Sequence, residues 1–209
     1  MFRNIIWDVD GTLFDTYPAI TKAFRLALND FGKDVPLDLI EGLAKKSVSI
    51  CASALAEKYG LDENQIGDGF VEHYDQMKAE DQPPFPGVIE TCQYICSIGG
   101  ENVIITHRRR EGTVSLLTAH KMSGYFAGFI TGDDNYPRKP DPSAFEAILK
   151  IHNLQVDETL TVGDRDIDIQ AGHAAGIFTC YYGSDSEMDA DLKISNFDEL
   201  YDYLVSQRV

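Results

Sequence analysis

Short apolar runs alternate with stretches of helical spacing along most of this chain, at residues 4–7, 102–105, 128–130, 160–162 and 178–181. Strands covered on both faces read as unbroken apolar runs, and their alternation with helices marks a parallel sheet wrapped by helices. Residues 143–151 illustrate the helical segments, with Phe145, Ile148, Leu149 and Ile151 at three-and-four spacing, a start at Asp141 or Pro142, and Gly176 closing a later helix over 169–175. The expected fold class is α/β, a doubly wound parallel sheet. One block breaks the alternation. From Tyr17 to Asp81 only helical stripes occur, Ile20, Phe24, Ala27, Leu28 and Phe31 in one and Ile66, Phe70, Tyr74 and Met77 in another. The chain returns through Pro83, Pro84 and Pro86, which suit a stiff connector. The expected division is therefore a core of residues 1–15 and 83–209 with a helical insert over 16–82, both ends of the insert lying beside one strand end.

That strand end carries Asp8 and Asp10, two carboxylates closing an otherwise apolar run. Residues two apart in a strand share a face, and like charges this close need a shared proton or a cation. Ligands of open α/β sheets bind at the carboxyl ends of strands, which locates a site here. A second acidic group comes after residues 160–162, with Asp164 at the turn and Asp168 one helical turn further. Oxygen-rich, histidine-free clusters suit a hard ion, and Mg²⁺ is the expected cofactor. Lys139 stands among prolines in a loop after the run at 128–130, where fixed backbone presents it in few ways and its point charge suits phosphate. Thr106 comes directly after the run at 102–105, and Arg108, Arg109 and Arg110 are expected to begin the next helix. Cations at a helix N-terminus oppose its dipole, so a bound anion would give them a reason to be there.

Composition narrows the partners. The 209 residues hold 18 Lys and Arg against 34 Asp and Glu, a formal charge of −16. Such a surface repels nucleic acid and anionic membrane, so neither is expected as a partner. The four cysteines form no CxxC pair, which argues for buried, reduced thiols over a zinc site or disulfide framework. With the apolar run reached within three residues of Met1 and no run of about 18 apolar residues, a soluble cytoplasmic protein is expected.

These residues resemble the haloacid dehalogenase superfamily of phosphohydrolases. Its opening motif corresponds to Asp8-Val9-Asp10-Gly11-Thr12-Leu13 and its closing motif to Gly163-Asp164-Arg165-Asp166-Ile167-Asp168, with Thr106 and Lys139 at the two motifs between. A helical insert directly after the first motif is similar to the subgroup containing phosphoglycolate phosphatases and β-phosphoglucomutases. The resemblance implies a Rossmann-like core with an inserted α-helical cap domain, and hydrolysis of a small-molecule phosphate monoester. It implies Asp8 as nucleophile, Asp10 as proton carrier, Thr106 and Lys139 on the transferring oxygens, and Mg²⁺ held by Asp8, the Asp10 carbonyl and Asp164. Asp168 would orient Lys139 or a metal-bound water.

Gly11, Thr12, His107 and Arg108 are further candidates for phosphate or substrate contact. His107 departs from the Asn that many relatives carry there. The insert is expected to choose the leaving group, with Lys45, Lys46 and Ser47 as candidates for contacting a substrate anion or hydroxyl and Tyr17 for lining the cleft. A phosphomutase on the same core, or a non-catalytic binding module, stays open as an alternative. A dehalogenase proper is disfavoured, because it would not keep both Asp10 and Asp164. The protein is expected to be a monomer or homodimer.

Overall fold

The computed structural model describes residues 1–207; residues 208 and 209, the end of the expected core range, lie outside the described residues. The chain divides into two compact units, one of Met1–Phe14 with Pro84–Val209 and the other of Asp15–Pro83. These boundaries fall one residue from those expected at 15/16 and 82/83. The first unit holds a six-stranded sheet, every neighbouring pair parallel, in the order β3-β2-β1-β4-β5-β6. Its strands are β1 (Asn4–Trp7), β2 (Asn102–Ile105), β3 (Phe126–Ile130), β4 (Thr159–Gly163), β5 (Phe178–Tyr182) and β6 (Leu192–Ile194). Five of the six coincide with the apolar runs, within two residues at either end. The sixth, β6, has no such run.

Alternation along β1 divides the core between the two sheet faces. Ile6, with Val103, Ile105 and Ile130, packs on Phe145, Ile148 and Leu149 of α7 (Ser143–Ile151) and Ala171 of α8 (Asp166–Ala174). Trp7 points the other way, its ring 5.9 Å from that of Phe197 in α9 (Phe197–Ser206), and its indole N–H donates to Asn102 Oδ1 at 2.9 Å. The buried indole thereby keeps a partner. Two further helices, α5 (Val88–Ser97) and α6 (Arg110–Ala119), flank β2 in sequence. The chain builds outward from β1 first toward β3 and then, through β4, in the opposite direction. This reversal makes the β1/β4 pair the topological switch point, where open α/β sheets bind ligands.

The second unit is helical throughout: α1 (Tyr17–Asp30), α2 (Leu37–Ala44), α3 (Val48–Tyr59) and α4 (Glu63–Tyr74). Its core joins the two stripes seen in the sequence, with Phe24 and Phe70 stacked at 4.2 Å between centroids. Gly69 lets α4 approach α1, since a Cβ there would lie 3.2 Å from the Cβ of Ala27. Ser47 and Asp62 cap α3 and α4 by accepting from Ile50 N and Gln65 N.

Candidate active site

Asp8 lies just past β1 and Asp164 just past β4, so the switch point brings their loops together; the Asp8 N–H donates to Val162 O at 3.0 Å. Carboxylate oxygens of Asp8, Asp164 and Asp168 lie within 4.8 Å of one another. Lys139 enters this group from the loop after β3 and is itself buried. Its ammonium donates to Asp8 Oδ1 at 2.7 Å, Asp168 Oδ1 at 2.5 Å and Ile105 O at 2.9 Å, which uses all three N–H bonds. A buried charge is tolerable only when paired and hydrogen-bonded in this way.

Burial pushes the Asp8 carboxyl up to about 6, against the pull of Lys139. Burial acts the same way on Asp168, but there the Lys139 ammonium and the Arg165 guanidinium prevail and hold the carboxyl below its usual range. Lys139 is raised: burial disfavours its charge, and Asp168 and Asp8 together more than offset that. One oxygen is left over. Asp8 Oδ2 is buried with no hydrogen-bond partner among the described residues. An orphaned carboxylate oxygen, in a cluster of three acids offering only hard oxygen donors, fits a divalent cation of the Mg²⁺ class.

Local sequence explains how each group is held. Asp168 sits in the first turn of α8 and accepts from Arg165 N at 3.2 Å, closing the helix N-terminus. Gly163 is obligatory beside it, because an added Cβ would stand 2.3 Å from Asp168 Cβ. Gly11 turns the chain after the acids with φ 78°, and Thr12 is fully buried, its hydroxyl donating to Asp164 Oδ1 at 3.2 Å. Thr106 continues from β2, its N–H bonded to Ile130 O, and its hydroxyl oxygen accepts from Arg108 N at 3.1 Å.

His107 turns back toward the lysine loop, and its Nε2 accepts from Lys139 N at 2.9 Å. Burial, then Lys139 and Arg165, push the imidazole down to about 3, so it is neutral and carries its proton on Nδ1. Arg108 reaches Asp10: Nε lies 3.2 and 3.3 Å from the two carboxylate oxygens, and Nη2 also bonds Oδ1.

The arginine run is not a helix start as a whole. Helix α6 begins at Arg110, Arg109 is its extended N-cap, and Arg108 stands in the turn before it. Arg110 is drawn away to Asp134, at 2.9 Å, and lies over the Phe129 ring.

Sequence reasoning missed Arg165. Its guanidinium comes within 4.0 Å of Asp8 Oδ1 and 3.6 Å of Asp168 Oδ2. A cation at the N-cap of a helix opposes the dipole, and that was the available signal. The candidates of the insert belong to the helical unit. There Tyr17 is buried, Lys45 pairs with Glu41 at 2.7 Å and sits over the Tyr17 ring, Lys46 is exposed, and Ser47 serves as the cap of α3.

The four cysteines are free, three of them buried. Among the described residues no helix is long and apolar enough to cross a membrane.

A switch-point cluster of acids with a buried lysine, on a parallel sheet in this order, defines a class, and the sequence agrees: the chain belongs to the haloacid dehalogenase-like hydrolase family, whose model matches residues 5–182. Among its relatives, the phosphoglycolate phosphatase of Aliivibrio fischeri is 30% identical over 205 residues, covering 90% of each chain. Phosphoglycolate phosphatase 1 of Pseudomonas aeruginosa is 30% identical over 183 residues, 84% of this chain and 67% of that one. The crystal structure of a predicted phosphoglycolate phosphatase from Haemophilus somnus superposes with a TM-score of 0.87 at 20% identity, covering 97% of this chain and 98% of the other, and so shares the fold. A hydrolase from Streptococcus pneumoniae is 27% identical, with a TM-score of 0.65 over 88% of this chain and 94% of its own.

Proposed function

We propose that the protein is a Mg²⁺-dependent phosphatase that hydrolyses a small phosphate monoester through an aspartyl-phosphate on Asp8, with phosphoglycolate as the first substrate to try. The observation that carries this reading is the buried Asp8, bonded through Oδ1 to Lys139 while Oδ2 has no hydrogen-bond partner among the described residues. The curated relatives named phosphoglycolate phosphatase supply the choice of substrate.

Asp8 attacks phosphorus as the bond to the ester oxygen breaks, and the departing oxygen takes its proton from Asp10. Water then attacks the phosphoenzyme and gives a proton to Asp10, and the bond between phosphorus and Asp8 breaks to release phosphate. Lys139 and the Thr106 hydroxyl neutralise and hydrogen-bond the transferring oxygens. Asp8, Asp164 and the Asp10 carbonyl would hold Mg²⁺, which supplies further neutralisation of those oxygens when bound. Asp168 keeps Lys139 oriented, and His107 fixes the backbone from which that lysine projects. The helical unit, residues 15–83, is proposed as the cap that selects the leaving group, with Tyr17, Lys45 and Lys46 as its candidate contacts.

Release of phosphate from a chromogenic ester, with and without EDTA and beside Asp8→Asn, tests the reading. Turnover is expected only with the metal and the intact aspartate. Activity that survives either change would refute the mechanism.

A further inference from the structure

Three arginines stand within four residues of Thr106, yet only Arg108 turns to the acids. It does so from a constrained position. Its N–H is bonded to Thr106 Oγ1 at 3.1 Å, and its carbonyl accepts from Gly132 N at 2.8 Å. Gly112 leaves room for the side chain, since a Cβ there would stand 3.2 Å from Nη1 and 3.5 Å from Cγ and Cδ. The side chain is only 10% exposed, against 48% for Arg110. Both ends of this residue are tied, and its fork grips both oxygens of Asp10.

The position has a chemical consequence for the reaction proposed above. An acid that protonates the leaving oxygen must touch the leaving group, so a guanidinium bonded to that acid lies beside the leaving group too. A planar fork with five N–H donors suits a carboxylate, and its charge can serve two of them. A substrate carboxylate arriving there competes with Asp10 for the same donors. Seating the substrate then releases Asp10 from the ion pair that favours its ionised form, so that it can hold the proton it passes to the ester oxygen.

We propose that Arg108 is a specificity-determining residue, selecting monoesters whose leaving group carries a second anionic group, a carboxylate foremost. This inference rests on the phosphatase reading and adds to it the residue that recognises the leaving group. The competing account, in which Arg108 only neutralises Asp10, predicts equal effects on charged and uncharged esters.

The test compares phosphoglycolate with 2-hydroxyethyl phosphate, in which CH₂OH replaces the carboxylate, using the full chain with Mg²⁺. The quantity read is the ratio of the two kcat/KM values. The wild type should favour phosphoglycolate, and Arg108→Gln should reduce that preference roughly 10- to 100-fold, the range of a lost charge-assisted pair. Arg108→Lys keeps the charge without the fork and should fall between. Circular dichroism reports folding, and Arg108→Lys carries the same comparison if the glutamine variant unfolds. An unchanged ratio in the variants, or a wild type indifferent to the carboxylate, overturns the role of Arg108 while hydrolysis of the uncharged ester still supports a phosphatase. A wild type that releases phosphate from the chromogenic ester but from neither of these overturns the role of Arg108 alone, and one that hydrolyses none of the three overturns both.

Discussion

At the scale of single residues, Asp8 stands out because its chemistry and its folding cost are the same property. Its carboxyl is raised by burial from 3.8 to about 6. Between those values the folded protein holds a proton that the unfolded chain has released, so this group's contribution to stability is full below 3.8 and is lost as pH rises through about 6. Above that, the buried charge costs on the order of 3 kcal/mol in the metal-free protein. Asn in its place keeps an acceptor for Lys139 and removes the charge. Metal-free Asp8→Asn is therefore expected to melt above the wild type at pH 7.5 in EDTA, with the gap narrowing by pH 4.5. His107, pushed down to about 3, contributes the opposite slope between its two pKa values, but it is common to both proteins and cancels. A mutant that melts below the wild type at pH 7.5 would mean that Lys139 already compensates the Asp8 charge in full.

At the scale of elements, the site is made by the loops and helix starts at the strand ends, and Gly163 at the end of β4 sets how closely α8 can approach. An added methyl would stand 2.3 Å from Asp168 Cβ and 2.6 Å from its Cγ, so Asp168 must shift and Lys139 loses its 2.5 Å partner. Gly163→Ala is expected to cost about 1–3 kcal/mol by overpacking and to lower kcat at least roughly tenfold, more than it alters KM, because in the proposed mechanism the lysine acts on the transferring oxygens. Melting and steady-state kinetics check it, and a wild-type kcat would detach Asp168 from the orientation of Lys139. Such elements were legible where burial imposed a pattern. β1, β2 and α7 match their sequence runs residue for residue, because both faces of a central strand, or one stripe of a helix, must be apolar. β6 was not legible. It is three residues long with exposed Lys193 in the middle, and only pairing with β5 makes it a strand. The arginine run was misjudged for a related reason. All three arginines were expected to begin the helix against its dipole, with a bound anion as the reason, whereas Arg108 and Arg110 are placed by Asp10, Asp133 and Asp134, far away in sequence. The acids and Lys139 could be read from strand-end spacing, while at Arg165 the sequence offered only a cation beside a helix start, and its nearness to Asp8 and Asp168 depends on which way one long side chain points.

At the scale of the whole molecule, the formal charge of −16 and the proposed metal site at Asp8 and Asp164 would act on stability through different routes, and they can be separated. Self-repulsion among surface carboxylates falls with any salt, over a Debye length of about 10 Å at 0.1 M. NaCl should therefore raise the melting temperature, and MgCl₂ at matched ionic strength should do so by at least as much. A cation bound between Asp8 and Asp164 adds a saturable term, about 2.7 kcal/mol at a hundred times the dissociation constant. For a chain of this size that corresponds to roughly 5–10 °C. The excess of MgCl₂ over NaCl should also shrink below pH 6, because protonated Asp8 no longer offers a charged oxygen. Asp164→Asn isolates the bound ion: it removes one of the three clustered carboxylates and leaves the rest of the acidic surface as it was. The variant is expected to keep the gain from NaCl and lose most of the excess from MgCl₂. If both proteins gain the same excess, Mg²⁺ is acting on the acidic surface at large, and Asp164 does not hold it.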